Sequence, residues 1–191
     1  MHKQYLLIKI FEVVKKERDA ANSKRPIAAF VPVDCRNFFP SKSLRSFVYA
    51  HNIKMPESDS LSEKTAELKG SFAKINAGSV HRSISRLQRA YDYAWWLPRA
   101  IKSMVMKQIA FYDNVATSTG FSNLGLIYLP PELKDFVKSY EFRISLEDDS
   151  AYYFSAITVF DSLAFSAVFR EEGRNVVESV MELVETEVGL I

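Results

Sequence analysis

Apolar residues recur at helical spacing through residues 2–19, where Leu6, Leu7, Ile10, Phe11 and Val14 form one stripe. Ile8 and Val13 widen that stripe, which predicts a helix covered on more than one side. The polar break Asn22-Ser-Lys-Arg-Pro26 closes it. Residues 27–33 are apolar at both parities, as in a strand buried on both faces. Pro32 has no backbone donor and so predicts a sheet edge, or a bulge near the end of this strand. Residues 45–53 predict a second, weaker strand.

The middle of the chain reads as helical. Ser60-Leu-Ser-Glu63 fits a capping box, with Leu61, Leu68, Phe72 and Ile75 on one face behind it. Asn76-Ala-Gly78 predicts a stop and Ser79 a new N-cap. Val80, Ile84, Leu87 and Tyr91 then recur at helical spacing. Pro98 suits the first turn of a third helix, with Ile101, Val105, Gln108 and Tyr112 following on one side.

After Gly120 the period changes. Residues 124–129 predict a strand closed by Pro130-Pro131. Residues 151–160 and 163–169 predict a hairpin turning at Asp161-Ser162. Residues 173–188 predict a closing helix, with Val177, Val180, Met181 and Val184 inward and Glu178, Glu182 and Glu185 outward. Helix, strands, helices, strands, helix in that order predict an α+β fold with a mixed, largely antiparallel sheet backed by helices on one face. With no repeat and no linker, residues 1–191 read as a single domain.

Composition narrows the class. A chain of 191 residues, 48% hydrophobic and 25% charged, reads as soluble and globular with room for a sizeable core. The net charge of +2 is too small to point to nucleic acid or an anionic membrane surface. No stretch approaches the roughly 20 apolar residues of a spanning helix. Lys9 and the charged residues 12–18 spoil a signal-peptide reading, and one cysteine, Cys35, fits a reducing compartment. The expectation is a cytoplasmic protein with no nucleic-acid or membrane partner.

Candidate chemistry is sparse. His2, His51, His81 and Cys35 are scattered, so no metal site is expected, and neither a phosphate-binding glycine loop nor a serine-hydrolase elbow occurs. His81 reads as a surface histidine near a helix start, and His51 either stands near a cleft or, more in keeping with its place, is a strand-end histidine facing solvent. Arg82, Arg86, Arg89 and Arg99 are either an anion-binding face or the solvated side of a helix, with Asp92 among them. Tyr91, Tyr93, Trp95, Trp96, Phe111 and Tyr112 either line a hydrophobic pocket or, more in keeping with their spacing, build a helix–helix core.

Two segments carry a resemblance. Pro32-Val-Asp-Cys-Arg-Asn-Phe-Phe-Pro-Ser-Lys-Ser-Leu-Arg45 is similar to the Pro-Val-Asn-Leu-Arg-x-Phe-Phe-Pro-Ser-x-Thr-Leu-Arg-Asn-Phe signature of bacterial alcohol acetyltransferase-like proteins. It departs by Asp34 for Asn and by Ser46 for Asn. Ser122-Asn-Leu-Gly-Leu-Ile-Tyr-Leu-Pro resembles the Ser-Asn-x-Gly strand of the same family, and the likeness runs over essentially the whole chain. The resemblance implies the carboxy-terminal half of a chloramphenicol acetyltransferase-like fold, in the superfamily of CoA-dependent acyltransferases and condensation domains. There, two α/β halves enclose a tunnel, and a His-His-x-x-x-Asp loop on the amino-terminal half supplies the general base. This sequence contains no such loop, so no catalytic residue is expected in it.

By that resemblance, Arg36, Asn37 and Arg45 brace the interface or the loop's aspartate, while Ser122, Asn123 and Gly125 border the tunnel. The bland alternative makes the same residues structural, with Pro40 and Ser41 in a turn and Arg36 paired to a carboxylate. The expected function is one part of an acyltransferase moving an acyl group from CoA or a carrier thioester to an alcohol or amine. A non-catalytic binding module on the same half-fold is the alternative. Partners would be an amino-terminal half or a second copy in a homodimer. Acyl-CoA would be a co-substrate, with no tightly bound cofactor.

Overall fold

Helix α1, His2–Ala20, is buried nearly all round from Gln4 to Val14, where Leu6, Leu7, Ile8, Ile10, Phe11, Val13 and Val14 leave little of its surface polar. The computed structural model describes residues 2–23, 26–45, 47–93, 95–104, 118–146, 150–160 and 162–188. Beside α1 pack α2, Leu61–Ala73, through Leu68, and the closing helix α4, Arg174–Val188, through Val176, Val177, Val180 and Val184. Fully burying one such side chain contributes about 1.5–3 kcal/mol, so this cluster dominates the stability of the core.

The sheet holds five strands: β1 Ala28–Asp34, β2 Val48–Lys54, β3 Thr119–Ile127, β4 Tyr152–Val159 and β5 Ser162–Phe169. Their order is β2-β1-β3-β4-β5. The outer pairs β1–β2 and β4–β5 are antiparallel hairpins, and β3 lies between them parallel to both β1 and β4. The fold is thus α+β, with a mixed, largely antiparallel sheet. Ala29, Val31, Ile53, Phe121, Tyr152, Phe154 and Ala156 turn one face of it to the helices.

Local details shift several expectations. Helix α3, Ala77–Tyr93, is capped by Asn76 and not by Ser79. Asn76 Oδ1 accepts from the Ser79 N–H at 3.0 Å and Ser79 Oγ accepts from the Asn76 N–H at 2.9 Å, a reciprocal pair that starts the helix before Gly78. β3 begins at Thr119 and so contains the Ser122-Asn-Leu-Gly125 motif. The β4–β5 turn sits one residue early: Val159 pairs with Ser162, and Phe160 takes the left-handed φ of 52° that such a turn needs. Ser60 does cap α2, accepting from the Glu63 N–H at 3.2 Å. Residues 99–104 are helical behind Pro98. The expected continuation through Val105, Gln108 and Tyr112 lies outside the described residues, as does Phe111.

Candidate functional site

β1 and β3 are parallel neighbours, so their carboxyl ends lie at one end of the sheet, and each delivers one of the two motifs there. β1 runs into a 3-10 turn, Cys35–Asn37, which Asp34 caps by accepting from the Arg36 N–H at 2.9 Å. The Arg36 side chain folds back over the following loop. Its Nη2 donates to the carbonyls of Ser43 at 2.9 Å and Arg45 at 2.7 Å, its Nη1 lies 3.4 Å from Asp34 Oδ1, and the guanidinium stands 6.0 Å from the centre of the Phe47 ring. Arg36 is therefore the staple of the loop between β1 and β2. Asn37 and Arg45 are exposed, and it is the Arg45 carbonyl that the loop uses.

In β3, Asn123 Oδ1 accepts from the Gly125 N–H at 2.7 Å, and the register with β4 jumps from Asn123↔Ala156 to Leu126↔Thr158. This is a β-bulge. Gly125 sits there with φ of 72°, and a Cβ on it would meet nothing within 4 Å. Conformation, not space, selects glycine at this position. Phe121 faces the helices, so Ser122, which is buried, faces the opposite side of the sheet. Gly120 and Ser122 align there with Tyr153 and Ser155, and Phe30 stacks on Tyr153 at 6.4 Å. Past the bulge, Leu124, Leu126, Ile127 and Tyr128 are exposed, as is Phe136 further on.

Pro32 parts the sheet between the two motifs. The Cys35 N–H donates to the Phe47 carbonyl and the Met55 N–H to the Ile27 carbonyl, each at 2.9 Å, so odd-numbered residues of β1 bond to β2. Even-numbered residues face β3, as the Ser118 N–H bond to the Ala28 carbonyl at 2.7 Å shows. Pro32 is even-numbered and offers β3 no donor. Pairing of β1 with β3 stops at Phe30↔Gly120, one step before it. The proline thus sits inside the sheet order and not on an edge strand, yet it makes an internal edge.

The sequence residues Arg36, Asn37, Arg45, Ser122, Asn123 and Gly125 all fall at this parted end. Asp34, Phe47 and Pro32 complete the geometry; the sequence marked Asp34 as a departure from the resembled signature, and Phe47 stands where that signature ends in Phe. Of the histidines, His81 approaches this end and His51 does not. His81 is exposed on α3, with its ring 6.5 Å from Phe39. His51 is not at a strand end: it pairs with Val31 within β2, on the helix-facing side, and is half-buried. Burial pushes its imidazole below the usual histidine value. It therefore lies across the sheet from Ser122 and cannot serve as a base on that side. Burial, and secondarily the Asp34 charge, push the Cys35 thiol up, away from the thiolate form a nucleophile needs.

Two grooves stand out among the described residues. The larger, about 800 Å³, lies at the far end of the sheet between the second half of α1 and the residues after β2, among Lys15, Arg18, Lys54, Glu57 and Asp59. A second, about 400 Å³, lies beside the β4–β5 turn, where the Tyr140 hydroxyl donates to the carbonyls of Val159 and Ser162. Neither is lined by the motif residues. Among the described residues no group of three histidine, cysteine or carboxylate side chains could hold a metal ion. The aromatic core expected around residues 91–112 is not built by the tryptophans: Trp95 and Trp96 are exposed. Set against models of protein families, curated proteins and solved structures, the chain matches none of them.

Proposed function

We propose that this chain forms the carboxy-terminal wall of an acyltransferase tunnel, on one half of a chloramphenicol acetyltransferase-like fold. The complete site would move an acyl group from CoA or a carrier thioester to an alcohol or amine. One observation supports the reading above the others: two motifs about 85 residues apart in sequence lie toward the same end of adjacent parallel strands, where Pro32 parts the sheet. Beyond the bulge the surface is apolar, with Tyr128 86% and Phe136 80% exposed, as a face closed by another body would be. Ser122 and Asn123 carry the hydroxyl and amide suited to polar contacts in such a tunnel, and Arg36 holds the loop that bears Asn37 and Arg45.

A general base contributes about 10²–10⁴-fold to such a reaction. His51 lies across the sheet from Ser122, and His81 stands against Phe39 of the first motif without the paired histidine and aspartate of the family loop, so on this reading the base would come from a His-His-x-x-x-Asp segment outside this sequence. Two measurements test the reading. The coding sequence around this chain should carry a His-His-x-x-x-Asp segment, in frame or adjacent, and its lack would sink the proposal. The purified chain, assayed with acetyl-CoA and simple alcohols, should give background rates only; turnover well above background would mean that the base lies within it.

A further inference from the structure

Trp95 and Trp96 stand 78% and 68% exposed in the turn that follows α3. Ile101 and Met104, on the helical residues beyond the turn, are exposed as well. Two adjacent indoles left in water forgo the largest apolar burial any side chain offers. Neither groove described above includes these residues, which form a corner at the turn after α3.

Charge is concentrated around the same corner. From Arg82 to Met104 the described residues carry five cations, Arg82, Arg86, Arg89, Arg99 and Lys102, against one anion, Asp92. Asp92 accepts a hydrogen bond from Gln88 Nε2 at 2.9 Å. Arg82, Arg86 and Arg89 are exposed and share one side of α3, a row about 10 Å long that leads to the tryptophans. The small net charge of the whole chain does not cancel this local excess, because screening limits each charge to about 8 Å at physiological salt.

We propose that this corner docks on an anionic lipid surface, with the two indoles at headgroup depth and the arginine row against the lipid charges. Indole rings favour the membrane–water interface, and juxtaposed cations add attraction to acidic headgroups. The contact is peripheral: no helix of the described residues is long and apolar enough to cross a membrane. The proposal is independent of the acyltransferase reading.

The two tryptophans are the only ones in the chain, so fluorescence excited selectively in tryptophan, beyond tyrosine absorption, reports on this corner alone. In buffer the emission should be that of water-exposed indole. Vesicles of phosphatidylcholine containing phosphatidylserine should shift it to the blue and sediment the protein, and high salt should reverse both. Replacing Arg86→Gln or Arg89→Gln should weaken binding about fivefold for each charge removed, and the double variant Trp95→Ala with Trp96→Ala should abolish sedimentation. No shift with the acidic vesicles, or equal binding to pure phosphatidylcholine, would overturn the proposal. A blue shift that grows with protein concentration and without vesicles would overturn it too, by assigning the corner to contact between copies of the chain.

Discussion

His51 places a titratable ring half in the core. The folded protein disfavours the imidazolium there, while the unfolded chain protonates near the ordinary value of 6.5. As pH falls through about 6.5 the unfolded state takes up protons that the folded state refuses, so stability falls until the depressed folded value is passed. Replacing His51→Gln should flatten that slope between about pH 7 and 5 in urea titrations; an unchanged slope would show that the burial of the ring is not felt. At this scale the sequence was only partly legible. It identified which residue types could titrate, but not that pairing with Val31 would turn His51 toward the helices. That depended on strand register, set by where β1 and β2 meet. Trp95 and Trp96 misled for a related reason: helical spacing marks a possible core only if the helix continues, and the chain turns at 95–97.

The elements themselves were readable where apolar period and turn chemistry agreed. Helices α1, α2 and α4 and the β4–β5 hairpin lie close to their expected positions, since each combines a strong pattern with a cap or a turn. α3 started earlier than expected because Asn76 and Ser79 cap each other, and single-residue propensity does not distinguish which of two capping residues begins the helix. The loop between β1 and β2 depends on one side chain. Arg36→Ala should cost about 1–2 kcal/mol, read as a lower urea midpoint, since charge-assisted bonds to two carbonyls are lost from a partly exposed site. Arg36→Lys should recover little of it, because an ammonium cannot fork to both carbonyls while lying over Phe47. A midpoint unchanged by Arg36→Ala would show that the loop is held by other contacts, and would return the arginine to an interface role.

For the whole molecule, the parting at Pro32 has a consequence for the order of folding. Two antiparallel hairpins close locally, but β1 meets β3 at only two register positions, Ala29↔Thr119 and Phe30↔Gly120, beside contacts between Ala28 and Ser118 that are 90 residues apart in sequence. Closing so long an excursion costs about 2 kcal/mol more than closing a loop of a dozen residues. That cost is met before a short seam returns much hydrogen bonding, which makes the seam a late event. In pulse-labelled refolding, amides of β4 and β5 should gain protection first and those of Phe30, Ser118 and Gly120 last; simultaneous protection would argue for a single nucleus. During the interval the chain is two folded pieces on a tether, each with an unsatisfied strand edge. Those edges could be captured by the same edges of another copy, so refolding yield should fall as chain concentration rises.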